Sequence, residues 1–266
     1  MKYQRMKSDA HVVAAIVILC LAGCGGGGGV GDFDLAGGIN ITFPDQAFGG
    51  IWTGTDDNGL EILALTTETG RLHWIAPETG EQGFGTGTVS ALSIDVEYTY
   101  VAPLGFTLED GSTSASCAGG GIISERVSLW VNAGCTTESG STFNNTATLD
   151  YDALYDRDSS LALVAGNYDD FGLVVNVTAS GEVFEQDPAT GCVVNGQIDI
   201  IDSRFNAYDV SITYSNCEGT VANLNGATFS GLGILDNSAV PETAIFALTG
   251  VVDNVIYSVI YELPRL

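Results

Sequence analysis

Lysine disappears from this 266-residue chain after position 7. Histidine is almost as scarce, since only His11 and His73 occur, and no Cys-x-x-Cys spacing is found. Zinc sites draw on clustered Cys and His, so no metal site is expected, and nothing implies a cofactor. There is no P-loop and no Gly-x-Ser-x-Gly elbow. A nucleophile–histidine–acid site would have to use His73, which sits beside Trp74 in a strand-like stretch; packing is its expected role. No long segment carries a 3.6-residue apolar period, so helices are expected to be few. Pro241-Glu242-Thr243-Ala244-Ile245-Phe246, with proline leading, is the best candidate for one helical turn.

What is present in excess is carboxylate. From residue 24 onward five arginines (Arg71, Arg126, Arg157, Arg204 and Arg265) face 32 acids, a formal charge of −27. Such a surface repels nucleic acid and anionic headgroups and attracts cations. Carboxylate pairs, which could hydrolyse glycosides, arise here by number alone, so a non-enzymatic protein is expected. Asp56-Asp57-Asn58-Gly59 resembles part of a calcium loop, but Leu60 breaks the alternation of oxygens and a hairpin turn is the expected reading. Asp150, Asp152, Asp156 and Asp158 could gather a cation; solvated strand edges are the plainer reading. Self-repulsion destabilises a compact state and salt screens it. The melting temperature of the chain lacking residues 1–24 is therefore expected to rise between millimolar and molar sodium chloride. A flat or falling thermal-melt series would show the acids to be too dispersed to matter.

The N-terminus has a distinct pattern. Lys2, Arg5 and Lys7 precede an apolar run from Val12 to Gly23, too short for the ~20 residues of a spanning helix. It reads as a signal region to be left out of the fold. Leu21-Ala22-Gly23-Cys24 follows, then Gly25 to Gly29. This stretch resembles the lipobox of bacterial lipoproteins, in which the cysteine sulfur receives a diacylglycerol and the preceding peptide is removed. The resemblance implies a lipid, palmitate included, on Cys24, a membrane anchor and export. Gly25 stands where an aspartate would retain such a protein at the inner membrane, which implies the outer membrane, with the body facing the periplasm or the cell surface. The expected organisation is a signal peptide at 1–23, a lipidated Cys24 and glycine-rich tether at 24–46, and two β modules at 47–158 and 159–266.

The body reads as short strands. Val127, Leu129 and Val131 alternate with Ser128, Trp130 and Asn132. Tyr208, Val210, Ile212 and Tyr214 alternate with Asp209, Ser211, Thr213 and Ser215. Val255, Tyr257, Val259, Tyr261 and Leu263 alternate with Ile256, Ser258, Ile260 and Glu262. Period two puts each set on one face of a sheet. Asp57-Asn58-Gly59, Glu109-Asp110-Gly111, Ala179-Ser180-Gly181 and Asn225-Gly226 are turn signals between runs. An echo at an offset of 111 aligns Gly70-Arg71-Leu72-His73-Trp74-Ile75-Ala76-Pro77-Glu78-Thr79-Gly80 with Gly181-Glu182-Val183-Phe184-Glu185-Gln186-Asp187-Pro188-Ala189-Thr190-Gly191. Upstream, Gly50-Ile51-Trp52 answers Gly166-Asn167-Tyr168 at an offset of 116. The fold class expected is all-β, with two tandem antiparallel barrel-like or sandwich-like modules. An oxidising compartment favours disulfides; neighbours in sequence give Cys117–Cys135 and Cys192–Cys217, one per half.

Gly50-Ile51-Trp52 also resembles the opening of lipocalins, where the tryptophan closes one end of a small barrel; Leu149-Asp150-Tyr151 lacks the threonine of a later lipocalin motif. The second half, from Ser160-Leu161-Ala162 through Thr190-Gly191-Cys192-Val193-Val194-Asn195-Gly196 to Asn216-Cys217, resembles a group of uncharacterised proteobacterial lipoproteins. Trp52 is expected in the core and Trp130 on the wetter face. A structural or surface-interaction module is favoured over a lipocalin-like carrier of an apolar ligand, because large apolar side chains fill most inward positions. The protein or small molecule it meets is not specified.

Overall fold

The computed structural model describes residues 44–103, 105–238 and 240–266. The signal region, Cys24 and the tether up to residue 43 lie outside the described residues.

The first eight strands form a closed antiparallel barrel. They are β1 (Gly50–Asp56), β2 (Glu61–Thr66), β3 (Arg71–Ala76), β4 (Glu81–Ser90), β5 (Ser93–Val101), β6 (Ser114–Ser124), β7 (Ser128–Thr137) and β8 (Thr142–Asp152). Each pairs with the next. β1 also pairs with β8, from Ile51 opposite Asp152 to Asp56 opposite Ala147, and this closes the sheet. Leu129 and Ala133 point into the core while Trp130 and Asn132 are exposed, the phase that alternation predicts. Trp52 is fully buried; its indole Nε1 donates to Thr66 Oγ1 at 2.9 Å and its ring meets Tyr151 edge-on. Together with Phe48 it fills the end of the barrel from which β1 starts. Trp74 lies across Gly83, where a Cβ would collide with the indole nitrogen.

A 3-10 turn (Ala153–Asp156) and a single helical turn, α1 (Leu161–Val164), lead into the second module. Asp152 and Ser160 cap them through Leu154 N and Leu163 N, which satisfies backbone donors that short helices leave open. Its strands are β9 (Gly166–Asp170), β10 (Leu173–Val177), β11 (Glu182–Gln186), β12 (Val193–Ile200), β13 (Tyr208–Ser215), β14 (Thr228–Asp236), β15 (Thr243–Val252) and β16 (Val255–Pro264). They form one curled antiparallel sheet in chain order, with β9 and β16 at its edges. The inward sets Tyr208, Val210, Ile212 and Tyr257, Val259, Tyr261, Leu263 line its core. The helical turn expected at Pro241–Phe246 is not formed. Thr243 to Phe246 begin β15, opposite Asp236 to Gly233 of β14. Ladder pairing and burial of Ala244 and Phe246 outweigh a local helical start.

The echo in the sequence corresponds to the same hairpin built twice. Gly70 N donates to Thr67 O and Gly181 N to Thr178 O, with both glycines at positive φ (88° and 85°). Thr67 Oγ1 accepts from Arg71 N, as Thr178 Oγ1 accepts from Glu182 N. The carbonyl of Gly70 accepts from Gly87 N and that of Gly181 from Ile198 N, so the offset of 111 continues into the next strand. The change to 116 falls in the first hairpin, whose turn spans 57–60 in the barrel and only 171–172 in the second module.

The bridges are Cys117–Cys135 and Cys192–Cys217. The first links residues directly opposed on β6 and β7. They enclose sequence separations of 18 and 25 residues, which the chain-entropy view of the unfolded state converts to about 3 kcal/mol each. Replacing Cys117 and Cys135 together by serine is expected to lower the urea midpoint accordingly. Equal midpoints for the two proteins would show the bridge to be dispensable.

Candidate functional site

The two modules pack side against side. Ile51 and Leu65, on the outer face of the barrel, meet Ala207, Leu232 and Ile234 of the second sheet around Tyr155. Tyr155 stacks on Phe205 at 4.8 Å. His73 belongs to this seam. It is buried, its Nε2 lies 2.9 Å from Gln82 Oε1, and burial lowers its pKa from 6.5 to about 4. It is therefore a neutral, packed histidine, and among the described residues Gln82 is the side chain its ring hydrogen-bonds.

The arginines gather at the same seam and in the second module. Arg71 of β3 forks onto Asp209 of β13 at 2.9 and 3.0 Å. Arg126 pairs with Asp156 and lies over Phe205. Arg157 and Arg265 share Glu242, and Arg204 holds Asp202, whose pKa falls to about 2 chiefly through that hydrogen bond. All five arginines of the described residues thus already have carboxylate partners. The acids singled out in sequence are dispersed. Asp56 accepts Asn58 N and Leu60 N and forms the β1–β2 turn, Asp152 caps a 3-10 turn, and Asp156 pairs with Arg126.

This leaves the far end of the barrel without a cation. There the β1–β2, β3–β4 and β7–β8 hairpins surround an open cleft of about 430 Å³. Asp56, Asp57, Glu78 and Glu81 form its acidic wall, with Asn144 and Asn145 beside them. Its floor is aromatic: Tyr100 meets Phe143 edge-on at 5.5 Å and Trp74 at 5.3 Å. Burial, and then the neighbouring Glu81, keep the Tyr100 hydroxyl protonated far above its ordinary range. Sequence reading missed Glu81, Tyr100 and Phe143, because only closure of the barrel brings β4, β5 and β8 to one mouth. Below the floor the interior is nearly full. Among the described residues a cavity of about 50 Å³ lies there, lined by Ile62, Leu72, Trp74, Val96, Leu129 and Leu149 among others. A drug-sized ligand needs ~300 Å³ or more, whereas an eight-stranded barrel is just wide enough to be filled by its own side chains.

Trp130, the remaining tryptophan, is 42% exposed on β7, directly opposite Ile122 of β6, which is 60% exposed. Sequence reading also missed Glu185. It points into the core of the second module at the place Trp74 holds in the first, and burial followed by Asp170 and Asp187 raises its pKa to about 7. Among the described residues no helix is long and apolar enough to cross a membrane. No known family model, curated protein or solved structure matches the chain.

Proposed function

We propose that this protein is a lipid-anchored, non-enzymatic module of the bacterial outer membrane that makes surface contacts through its acidic barrel mouth. The observation that carries the reading is the filled interior. With about 50 Å³ free, the barrel has no room for a transported apolar molecule. What it offers instead is a rim of carboxylates over an aromatic floor, open to solvent and with no arginine on it. That chemistry suits ammonium or guanidinium groups, which gain from both the negative field and the ring faces. The arginine-rich seam supports the same reading: it ties two barrel-like modules together and leaves the mouth uncompensated.

The anchor is tested by fractionating cells that express the intact chain or Cys24→Ser. The intact chain is expected in membranes carrying lipid on Cys24 by mass spectrometry, and the variant in the soluble fraction. An unlipidated N-terminus starting elsewhere would sink the anchor. The mouth is tested separately, by titrating a spermidine probe. Glu78→Gln with Glu81→Gln is expected to weaken binding at least tenfold at low salt. Co-purification of one apolar ligand per chain would instead establish a carrier.

A further inference from the structure

The second module is a barrel-like sheet that does not close, and its first hairpin is five residues shorter than that of the first barrel. In the first barrel Gly50 to Thr66 form the first hairpin; the matching hairpin of the second runs only from Gly166 to Val177. β9 stops at Asp170. Its ladder pairing with the chain end just after β16 is a single bridge, Tyr168 opposite Arg265, and Leu266 N donates to Asn167 O at 2.9 Å. Arg265 reinforces that end by donating to Ala165 O and lying over the Tyr168 ring. The register of the bridge puts Asp170 opposite Leu263, so Val255 to Glu262 have no opposite residue. Among the described residues no backbone hydrogen bond reaches the free side of this stretch, while Ser258, buried on its outer face, donates to Ala102 O of the first barrel. From Val255 to Tyr261 it carries no charge and is rich in β-branched and aromatic residues, the composition most prone to recruit another strand.

The inside of the split end is acidic. Glu185 and Asp170 face it, and among the described residues no donor bonds to Glu185. The hydroxyls of Tyr214 and Tyr261 are 2.6 Å apart, and the charges of Glu185 and Asp170 act on both of them. Each arginine of the described residues is already held by another carboxylate. We propose that the free edge of β16 accepts an extended peptide strand from a partner protein, with a basic side chain turned inward onto Glu185 and Asp170, completing the second barrel. Main-chain ladder bonds would supply affinity and the inward residue specificity, as in other strand additions. A second copy of this chain is the poorer occupant, because two bodies that are both strongly acidic repel. Through buried Ser258 this stretch touches Ala102, two residues beyond Tyr100 of the first barrel's mouth, and the test does not depend on what that mouth binds.

The test uses the full chain in detergent and a fluorescein-labelled nine-residue peptide that alternates threonine and valine, with lysine at its centre. A companion peptide has norleucine there. By anisotropy the lysine peptide is expected to bind at least tenfold more tightly. Glu185→Gln is expected to erase that preference while leaving the circular dichroism spectrum unchanged. Inserting the five residues of 57–61 between Phe171 and Gly172 is expected to close the barrel and abolish binding. Amides of 255–262 in the unaltered chain should exchange more slowly with peptide present. Equal affinity of the two peptides, or unchanged amide exchange, overturns the proposal. So does competition by n-butylamine alone at equal molarity, which would mark a small-amine site. A dimer in sedimentation that the insertion dissociates would assign the edge to a second copy instead.

Discussion

Trp52→Ala is expected to destabilise the protein by about 3–5 kcal/mol, the range for truncating a large buried aromatic side chain. For a chain of this size that is a fall in melting temperature of roughly 6–20 °C. The indole is inaccessible to solvent, donates to Thr66 Oγ1 at 2.9 Å and lies edge-on to Tyr151 at 5.4 Å. Thr66 Oγ1 in turn donates to Phe48 O, so the indole, the threonine and the entering chain form one plug. Truncation leaves a void at the end where β1 both opens and closes the sheet. Trp130→Ala is the control. That ring stands on the outer face of β7, and its loss is expected to fall within about 0.5 kcal/mol, as for surface sites generally. Comparable losses from the two variants in thermal melts would mean that Trp52 is not the plug of the barrel.

The contrast between these tryptophans was legible in the sequence, since period-two alternation assigns each a face. The same rule found the strands, and the turn signals placed several hairpins. The offset of 111 even showed which residues take equivalent places. Leu72 and Val183 point inward and His73 and Phe184 outward in their respective modules. What alternation cannot show is what covers an outward face. His73 is buried because β14 and β15 lie against it, as the seam around Ile51 and Leu232 shows, while Phe184 stays 46% exposed. The alignment set Glu185 beside Trp74, yet an inward glutamate looks like any other acid among 33 until the core is built around it. Likewise the step from 111 to 116 was visible, but that β9 meets the chain end in a single bridge is a feature of the folded sheet alone. The mouth was illegible for a related reason: its acids and aromatics come from strands far apart in sequence.

His73 and Glu185 should make stability respond to pH in opposite directions over one window. Burial lowers the folded-state pKa of His73 from 6.5 to about 4. Between these values the unfolded chain binds a proton that the folded one refuses. Stability from this group is therefore present above pH 6.5 and lost as pH falls toward 4, about 3 kcal/mol in all. Glu185 does the reverse. Burial, then Asp170 and Asp187, raise its pKa from 4.5 to about 7, so the folded chain holds a proton that the unfolded chain has released. Its penalty is full above pH 7 and vanishes as pH falls toward 4.5, again about 3 kcal/mol at most. Glu185→Gln mimics the protonated acid. It is expected to stabilise the protein at pH 8, to leave it unchanged near pH 4, and to expose the steep acid loss due to His73. His73→Gln should stabilise only below pH 6.5 and leave a protein that gains stability on acidification. The difference between the variants across pH 4–8 approaches about 6 kcal/mol, read from urea midpoints at each pH against the parent chain. Carboxylates that both variants share cancel in that comparison. Parallel pH profiles for the two variants would show that neither group is buried in the protonation state that its surroundings impose.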